Sequence, residues 1–301
     1  MICDVAQPPD RPAPRHPLFA SRLRLLGAAV LFSTGGAAIK ACALDGWQVA
    51  CFRAGIAALV VAAVLPSSRR QWTWRTALVG AVYAATVILF VQANKLTTAA
   101  NAIFIQAASP LFIAALSPWL IGERLRGRDL PFMAALMAGL ALFFVGAPVE
   151  SATAPDPGLG NILAAASSFT VALMMMGLRW LGKRGDGAPA AVVVGNAMAF
   201  VVALPFALPL AARPVDLALV AYLGVFQIGL AYPLVLSALR RLSALEASLL
   251  LMIEPVLNPL WAWLLHGEQP GPWALLGGAL ILGATALHTR ADARVEPEAL
   301  S

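Results

Sequence analysis

The chain is built from long apolar runs separated by short polar connections. Each run has about 20 residues, enough for a helix rising 1.5 Å per residue to cross a hydrocarbon core of about 30 Å. The runs are continuously apolar rather than alternating, so they predict helices and not the strands of a barrel. Ten runs are present: 23–43, 47–66, 75–94, 98–121, 129–147, 158–180, 188–211, 215–238, 244–266 and 271–288.

The chain repeats part of itself at an offset of 145 residues. The stretch 95–123 (KLTTAANAIFIQAASPLFIAALSPWLIGE) returns without a gap as 240–268 (RRLSALEASLLLMIEPVLNPLWAWLLHGE). Both copies carry a proline midway, Pro110 and Pro255, and both end in Gly-Glu. An internal repeat of this length predicts the architecture. Because each copy contains five helices, an odd number, the second copy is expected to be inverted in the membrane.

The basic residues support both the helix count and the orientation. With the N-terminus placed in the cytoplasm, 17 of the 21 lysines and arginines fall on the cytoplasmic side and three outside. The three outside are Lys40, Lys95 and Arg213, and Arg53 lies within a span. Cytoplasmic loops of membrane proteins carry such an excess of positive charge. We therefore predict ten helices with both termini in the cytoplasm. As a separate expectation, the membrane is a bacterial inner membrane.

Five segments follow from this reading. Residues 1–21, rich in proline and arginine, are expected to form a disordered cytoplasmic tail. Residues 22–147 form the first repeat, residues 148–158 (PVESATAPDPG) an external linker, and residues 159–289 the second repeat. Residues 290–301 form a second cytoplasmic tail. The predicted fold class is an all-α polytopic membrane protein made of two inverted five-helix repeats.

Composition agrees with a lipid environment and excludes several classes of function. The chain is 60% hydrophobic and 12% charged, whereas soluble domains are about 25% charged. The net charge of +6 follows from the cytoplasmic arginines, so we expect no nucleic-acid partner. Three cysteines give no disulfide framework, and Cys42 and Cys51, which flank one short turn, leave a single pairing open. The three histidines are far apart, so we predict no metal site and no cofactor.

Two motifs connect the chain to a known family. The first is TTAANAIFIQAASPLF followed by LIGERL, and the second is SALEASLLLMIEPVLNPLWAWLLHGEQ followed by GPWALLGGALILGATAL. Together with Arg53 in the second helix, they resemble the EamA family of the drug/metabolite transporter superfamily. The resemblance covers about residues 23–288. It implies ten helices, cytoplasmic termini and transport of small metabolites, often export of amino acids.

Glu254 and Arg53 are the charged candidates for function. Glu254 is expected to lie near the membrane midplane, where an ionised carboxylate is costly unless it faces the protein interior or a wet cavity. It could couple a proton, bind a substrate amine, or anchor the bend at Pro255; the equivalent residue, Ser109, favours the last of these. Arg53 could bind a substrate carboxylate, pair with a buried acid, or extend to the headgroups. Lys40, nearer its helix end, is expected to extend to the headgroups.

Uncharged polar residues near helix centres complete the candidate cavity. Each could equally form interhelical hydrogen bonds, worth about 0.6 kcal/mol on average. Prolines inside the fourth and ninth spans could permit bending during transport. Ser33–Gly36 is expected to interrupt the first helix and Ser167–Thr170 the sixth. The candidates for substrate or proton binding besides Glu254 and Arg53 are Ser33, Tyr83, Asn101, Gln106, Gln227, Tyr232 and Asn258.

Inverted repeats are typical of secondary transporters that bind substrate near the midplane. We therefore predict a secondary transporter. The resemblance to the EamA family implies that it exports amino acids or related small metabolites, and we expect the bilayer and a proton as further partners. A lipid-carrier or nucleotide-sugar flippase of the same superfamily is the alternative, although only Arg53 would supply a basic cavity. An intramembrane enzyme is less consistent, because the sequence has no HExxH motif and no histidine near the middle of a predicted helix. A GxxxxGK[ST] motif is absent as well, which argues against ATP hydrolysis by this chain. A channel is a further alternative, which flux measurements would separate from a carrier.

Overall fold

The computed structural model describes residues 15–120, 127, 129–145, 151–185, 187–239 and 250–295, and the regular structure of these residues is helical. A 3-10 turn follows α3 at Pro66–Arg69, another follows α9 at Leu204–Phe206, and a π-helical segment, Leu223–Leu230, joins α10 to α11. The α-helices are α1 (Arg15–Ser33), α2 (Gly35–Ala41), α3 (Gly46–Val64), α4 (Trp74–Leu96), α5 (Ala99–Gln106), α6 (Ser109–Leu120), α7 (Asp129–Leu142), α8 (Pro157–Arg184), α9 (Ala188–Ala203), α10 (Pro214–Tyr222), α11 (Ala231–Leu239), α12 (Ile253–His266) and α13 (Pro272–Val295).

Eight helical stretches in the described part of the chain are long and apolar enough to cross a membrane, so the protein is a multi-pass membrane protein. The fifth predicted helix is shorter, 14 residues in α7. The ninth is described over the 14 residues of α12, and residues 240–249 before it lie outside the description. The eight stretches are Leu18–Ala41, Gly46–Val64, Trp74–Leu96, Ala99–Leu120, Pro157–Gly182, Ala188–Phe206, Pro214–Val235 and Pro272–Ala291.

Local sequence explains where several helices begin and end. Asp45 starts α3 and Thr73 starts α4, each with a reciprocal capping box that satisfies two otherwise free backbone donors. Asp156 caps α8 by accepting from the Leu159 backbone. Gly267 ends α12 in the left-handed region at φ +66°, a conformation that glycine adopts at little cost. The helix thus ends at the Gly-Glu pair that closes the second copy of the repeat, whereas Gly122, the equivalent residue in the first copy, lies outside the described residues.

The fourth and ninth spans break at equivalent positions. Ala107 ends α5 and Met252 precedes α12, and both residues have φ −64° and ψ −10°. They differ by the 145-residue offset of the sequence repeat, and each stands three residues before a proline. A proline lacks the backbone donor that would continue the helix, and its ring clashes with the preceding turn. The duplicated sequence thus produces a duplicated bend.

The first span is also divided, whereas the sixth is not. Thr34 separates α1 from α2, as the Ser-Thr-Gly-Gly stretch predicts. By contrast, α8 runs through Ser167 and Ser168 without a break, so the expected interruption there is wrong. Both serines are instead buried and bonded to neighbouring segments, which satisfies their hydroxyls without disturbing the helix.

The packing places α4 at the centre of the described helices, in contact with α8 and α9, while α3 packs on α9 and on the π segment. Glycines permit these close approaches: a Cβ atom on Gly195 would meet Tyr83 at 2.7 Å, and one on Gly224 would meet the Arg53 carbonyl at 3.0 Å. The last helix, α13, pairs with α7 through Gly139 and Gly277, whose backbones touch. The first repeat and the second are therefore interleaved.

Candidate substrate site

Arg53 is buried inside the helix assembly. Its side chain projects from α3, two turns from the helix start, and only 2% of the residue is exposed. Nε and Nη1 have no hydrogen-bond partner among the described residues, and no carboxylate of that set lies within ion-pair distance. Buried donors without acceptors are costly, more so when charged. Arg53 is therefore a candidate for binding an anionic group.

Two tyrosines form the immediate surroundings of Arg53. Tyr83 of α4 and Tyr232 of α11 are the groups that interact electrostatically with its guanidinium. Their rings lie 5.9 Å apart, and Tyr83 is almost completely buried. Tyr83 also lies against Asn196 of α9, whose Oδ1 has no partner in the described part of the chain. Four helices thus direct polar groups at one point, which we call the arginine cluster: Arg53, Tyr83, Asn196 and Tyr232.

Glu254 lies beside this cluster without pairing with Arg53. It is partly buried at the start of α12, two residues after the break at Met252. Tyr232 interacts electrostatically with both Glu254 and Arg53, so both charged groups lie near this tyrosine. A carboxylate and a guanidinium close to one side chain can bind the two ends of a zwitterion, because each end then meets a charge of opposite sign.

A second polar group surrounds the break in the first span. A Cβ atom on Gly35 would lie 2.6 Å from Gln227 Nε2, and one on Gly36 would lie 2.5 Å from Asn258 Oδ1. Gln227 Oε1 and both side-chain polar atoms of Asn258 are buried without partners among the described residues. Ser33, next to the break, accepts from Trp261 Nε1 at 3.0 Å. The two glycines therefore let α2 approach a pair of unsatisfied amides.

The other two candidates already have structural partners. Asn101 donates to Thr97 Oγ1 at 3.3 Å and to Asn161 Oδ1 at 3.2 Å, at the first turn of α5. Gln106 donates to Ser167 Oγ at 2.7 Å and ties the bend of the fourth span to α8. The nine predicted residues thus do not form one site. Arg53, Tyr83, Tyr232 and Glu254 come together, Ser33, Gln227 and Asn258 form the neighbouring group, and Asn101 and Gln106 stabilise helix contacts.

At one end of the bundle, Lys40 and Glu268 form an ion pair. Their closest atoms are 3.2 Å apart, and their side chains are 3% and 4% exposed. Lys40 also donates to the carbonyls of Thr97 and Thr153, while Glu268 accepts from the Ala99 backbone at 2.9 Å. The expectation that Lys40 extends to the headgroups is therefore wrong. The pair joins α2 to the start of α5 and to the connection between α12 and α13.

Breaking this pair is expected to destabilise the protein. Lys40→Met leaves the Glu268 carboxylate buried without its cation, a change that costs about 3–5 kcal/mol when one partner of a buried pair is removed. Lys40→Met with Glu268→Gln removes both charges and should recover much of that loss. The free energy of unfolding is measured for both variants, purified in mixed detergent micelles. Equal loss in the single and double variants would contradict the idea that the pair acts as a unit.

Several of these interactions were not found from sequence. Asn196 went unnoticed, although an isolated amide in the apolar run AVVVGNAMAFVV is itself a sign of an interior partner. The hydroxyl of Tyr222 lies 2.9 Å from Thr34 Oγ1, and the sequence around Tyr222 does not predict this contact. The Lys40–Glu268 pair joins residues that are 228 positions apart, and a single sequence does not predict such a contact.

The architecture is that of a multi-pass helical membrane protein with a polar interior. Residues 22–145 and 158–290 match the model of the EamA-like transporter family, and the chain belongs to that family. It is therefore a membrane transporter of the drug/metabolite type, for which the family implies a small-molecule substrate.

Comparison with individual proteins agrees with this assignment. An uncharacterized protein of Pseudomonas aeruginosa, PA1977, is 34% identical over 268 residues, which cover 82% of this chain and 87% of that protein. A protein known from its crystal structure superposes with a TM-score of 0.62, covering 92% of this chain and 99% of the other. At 21% identity that likeness concerns the fold.

Proposed function

We propose that this protein is a secondary active exporter of amino acids or related small metabolites that works by alternating access around a midplane cavity. The observation that carries the proposal is the buried guanidinium of Arg53, with two donors lacking partners among the described residues. The arginine cluster draws on both stretches that match the family model: Arg53 and Tyr83 come from the first, Asn196 and Tyr232 from the second. Sites between two repeats are where transporters of this kind bind substrate.

The charges of the site favour a zwitterionic substrate. Its carboxylate would bind the donors of Arg53 that lack partners among the described residues, by charge-assisted hydrogen bonds, which are about twice as strong as neutral ones. Its ammonium group would face Glu254, and Tyr232 would lie near both ends. Gln227 and Asn258 in the neighbouring group would then contact the remainder of the substrate. An exporter built in this way would reject a substrate that lacks either charge.

Glu254 is also the proposed proton-coupling group. When no ammonium group faces it, a carboxylate at this depth is most stable in the neutral, protonated form. A proton and the substrate amine would therefore compete for the same oxygen atoms. Such competition exchanges one proton for one substrate molecule across the membrane. In this scheme no cofactor or metal takes part.

The proposed topology has ten helices in two inverted repeats, residues 22–147 and 159–289, joined by an external linker at 148–158. Both termini, residues 1–21 and 290–301, lie on the cytoplasmic side of a bacterial inner membrane. The distribution of arginines supports this orientation. The relative from Pseudomonas is consistent with a bacterial setting. The Lys40–Glu268 pair would then close the outer end of the pathway in the conformation described.

Reporter fusions test this topology. A cytoplasm-active reporter joined after Ser301 should be active, and a periplasm-active reporter inserted at 148–158 should be active as well. The reverse reporter at each position serves as the control. A C-terminus on the outer side would contradict both the ten-helix count and the inversion.

Metabolite pools test the function. Cells that produce the protein should accumulate at least one amino acid or related zwitterion outside and lose it inside, compared with cells that produce Arg53→Gln at equal level. Mass spectrometry of both pools gives the measurement. Unchanged zwitterion pools, accompanied by a shift in lipid-linked sugars or nucleotide sugars, would instead support the flippase alternative.

A further inference from the structure

Two buried amides beside the break in the first span lack partners among the described residues. Asn258 of α12 is fully buried, and Gln227 of the π-helical segment is 5% exposed. The atoms without partners are Gln227 Oε1, Asn258 Oδ1 and Asn258 Nδ2. Leaving such groups unpaired away from water is unfavourable. These two residues, which we call the amide pair, therefore offer two acceptor atoms and one donor group to a ligand.

Gly35 and Gly36 bring the two amides to one place. They are consecutive at the start of α2, and a Cβ atom on either would overlap an amide: Gln227 at 2.6 Å from the first, Asn258 at 2.5 Å from the second. The amides thus approach the same short stretch of backbone from two different helices. The amide pair is therefore a single feature, formed where α2, the π-helical segment and α12 meet.

The amide pair lies about one helical turn from the residues proposed to bind a zwitterion. Glu254 and Asn258 are four positions apart on α12, so they share a face and are separated by about 6 Å along the axis. Gln227 precedes Tyr232 by five positions, about 7 Å along its span. On the first span, the ring of Phe32, three residues before the first glycine, lies 5.5 Å from the ring of Tyr232.

These three separations run in the same direction. Each leads from the charged residues toward the end of the bundle that holds the Lys40–Glu268 pair, where the Ala43 backbone also donates to Asp216. Two or three carbon–carbon bonds of about 1.5 Å, followed by a hydrogen bond of about 2.9 Å, cover such a distance. An amino acid held by its two charged ends would therefore reach the amide pair with its side chain.

The donors and acceptors of the amide pair match a primary carboxamide. The carbonyl oxygen of a carboxamide accepts from Asn258 Nδ2, and its NH₂ group has two hydrogens, one for Asn258 Oδ1 and one for Gln227 Oε1. A hydroxyl group has a single hydrogen and leaves one acceptor unpaired, and a carboxylate has none. An apolar side chain leaves all three groups unpaired.

We propose that the amide pair is a subsite for the side chain of a carboxamide amino acid, glutamine or asparagine, and that it sets the selectivity of the transporter among zwitterions. The proposal rests on the proposed function, because it takes Arg53 and Glu254 to bind the charged ends of the substrate. A site built to hydrogen-bond a substrate group discriminates strongly against an analogue without that group, since its own buried polar groups then stay unpaired.

Competition among amino acids of matched size tests the proposal on the wild-type protein. The full-length protein is purified and reconstituted in liposomes, and counterflow of labelled glutamine and asparagine is measured. Methionine and leucine are the apolar competitors, and glutamate and aspartate are the acidic ones. Glutamine and asparagine should compete at concentrations about 100-fold lower than the other four, as three neutral hydrogen bonds would give.

The outcomes separate this inference from the proposed function. Counterflow of methionine, leucine or another amino acid without a carboxamide, at least as good as that of glutamine and asparagine, would overturn the subsite and leave an amino-acid transporter. Transport of none of the amino acids would overturn the proposed function, and the subsite with it.

Substitutions locate the selectivity in the amide pair. Asn258→Leu replaces the amide by an apolar group of similar size and should lower the preference for glutamine over methionine by about 20-fold, since two of the three hydrogen bonds are lost. Gln227→Leu should lower it by about five-fold. Gln269→Leu, the same change at an exposed position, is the control.

The preference is a ratio measured within one preparation, so it does not depend on how much of a variant is folded. A preference that stays unchanged in both Asn258→Leu and Gln227→Leu, or that changes equally in Gln269→Leu, would overturn the assignment to the amide pair.

Discussion

Arg53→Gln is expected to reduce transport by about 100-fold. The substitution keeps a polar side chain of similar length but removes the two charged donors that the described residues leave unpaired. Two hydrogen bonds to a charged group are worth about 1.5 kcal/mol or more each, and about 3 kcal/mol corresponds to a little over 100-fold. Export from proteoliposomes, measured as initial rate against substrate concentration, gives the comparison.

The stability of the same variant separates a binding role from a structural one. A guanidinium that contributes no ion pair to the described fold is not required to hold it together, so the unfolding transition should be unchanged or higher. Arg290→Gln, an exposed arginine on α13, is the control for loss of charge and should leave transport unchanged. A large drop in stability together with normal transport in surviving Arg53→Gln protein would show that the arginine serves packing alone.

Glu254→Gln is expected to abolish coupling to the pH gradient. The amide keeps the size and hydrogen-bonding groups of the side chain but neither takes up nor releases a proton. Counterflow of labelled substrate, which needs no proton movement, should persist at reduced affinity because the amide attracts an ammonium group less strongly. Net export driven by an imposed pH gradient should fall to the background of empty vesicles.

The control for this prediction is Asp45→Asn. It makes the same carboxyl-to-amide change at an exposed position, and asparagine caps a helix as well as aspartate does, so α3 should be undisturbed. Transport by this control should follow the wild type. If Glu254→Gln itself transports at an unchanged rate with unchanged dependence on the pH gradient, the carboxyl group only anchors the bend before Pro255.

The spans were predictable because each needs only a local property, about 20 apolar residues in succession. The same holds for the bends: Pro110 and Pro255 remove backbone donors wherever they stand, and both helices do break three residues ahead of them. The break at Thr34 follows in the same way from two adjacent glycines. The physical causes of these features lie within a few residues of each feature.

The site was less predictable, because side-chain partners come from distant segments. Pairing with a buried acid was one of three roles open to Arg53, yet the structure surrounds it with Tyr83 and Tyr232. Only the packing of α3, α4 and α11 can show this. Asn101 lies in the same repeated helix as Gln106 but bonds to Asn161 in another segment. A polar residue in an apolar helix is predicted to avoid lipid. The sequence does not show which neighbouring side chain that residue contacts.

The π-helical segment Leu223–Leu230 has a consequence for how this chain tolerates change in length. A turn closed by i→i+5 hydrogen bonds holds one residue more than an α-helical turn, and Tyr232 lies two positions after the segment. Deleting one residue inside the segment would let it close to a regular α-helix, with the helix on either side keeping its facing. Deleting one residue from α10 instead would rotate the residues before the deletion by about 100° relative to those after it. This span should therefore tolerate the loss of a residue inside the π segment better than the same loss in its α-helical part.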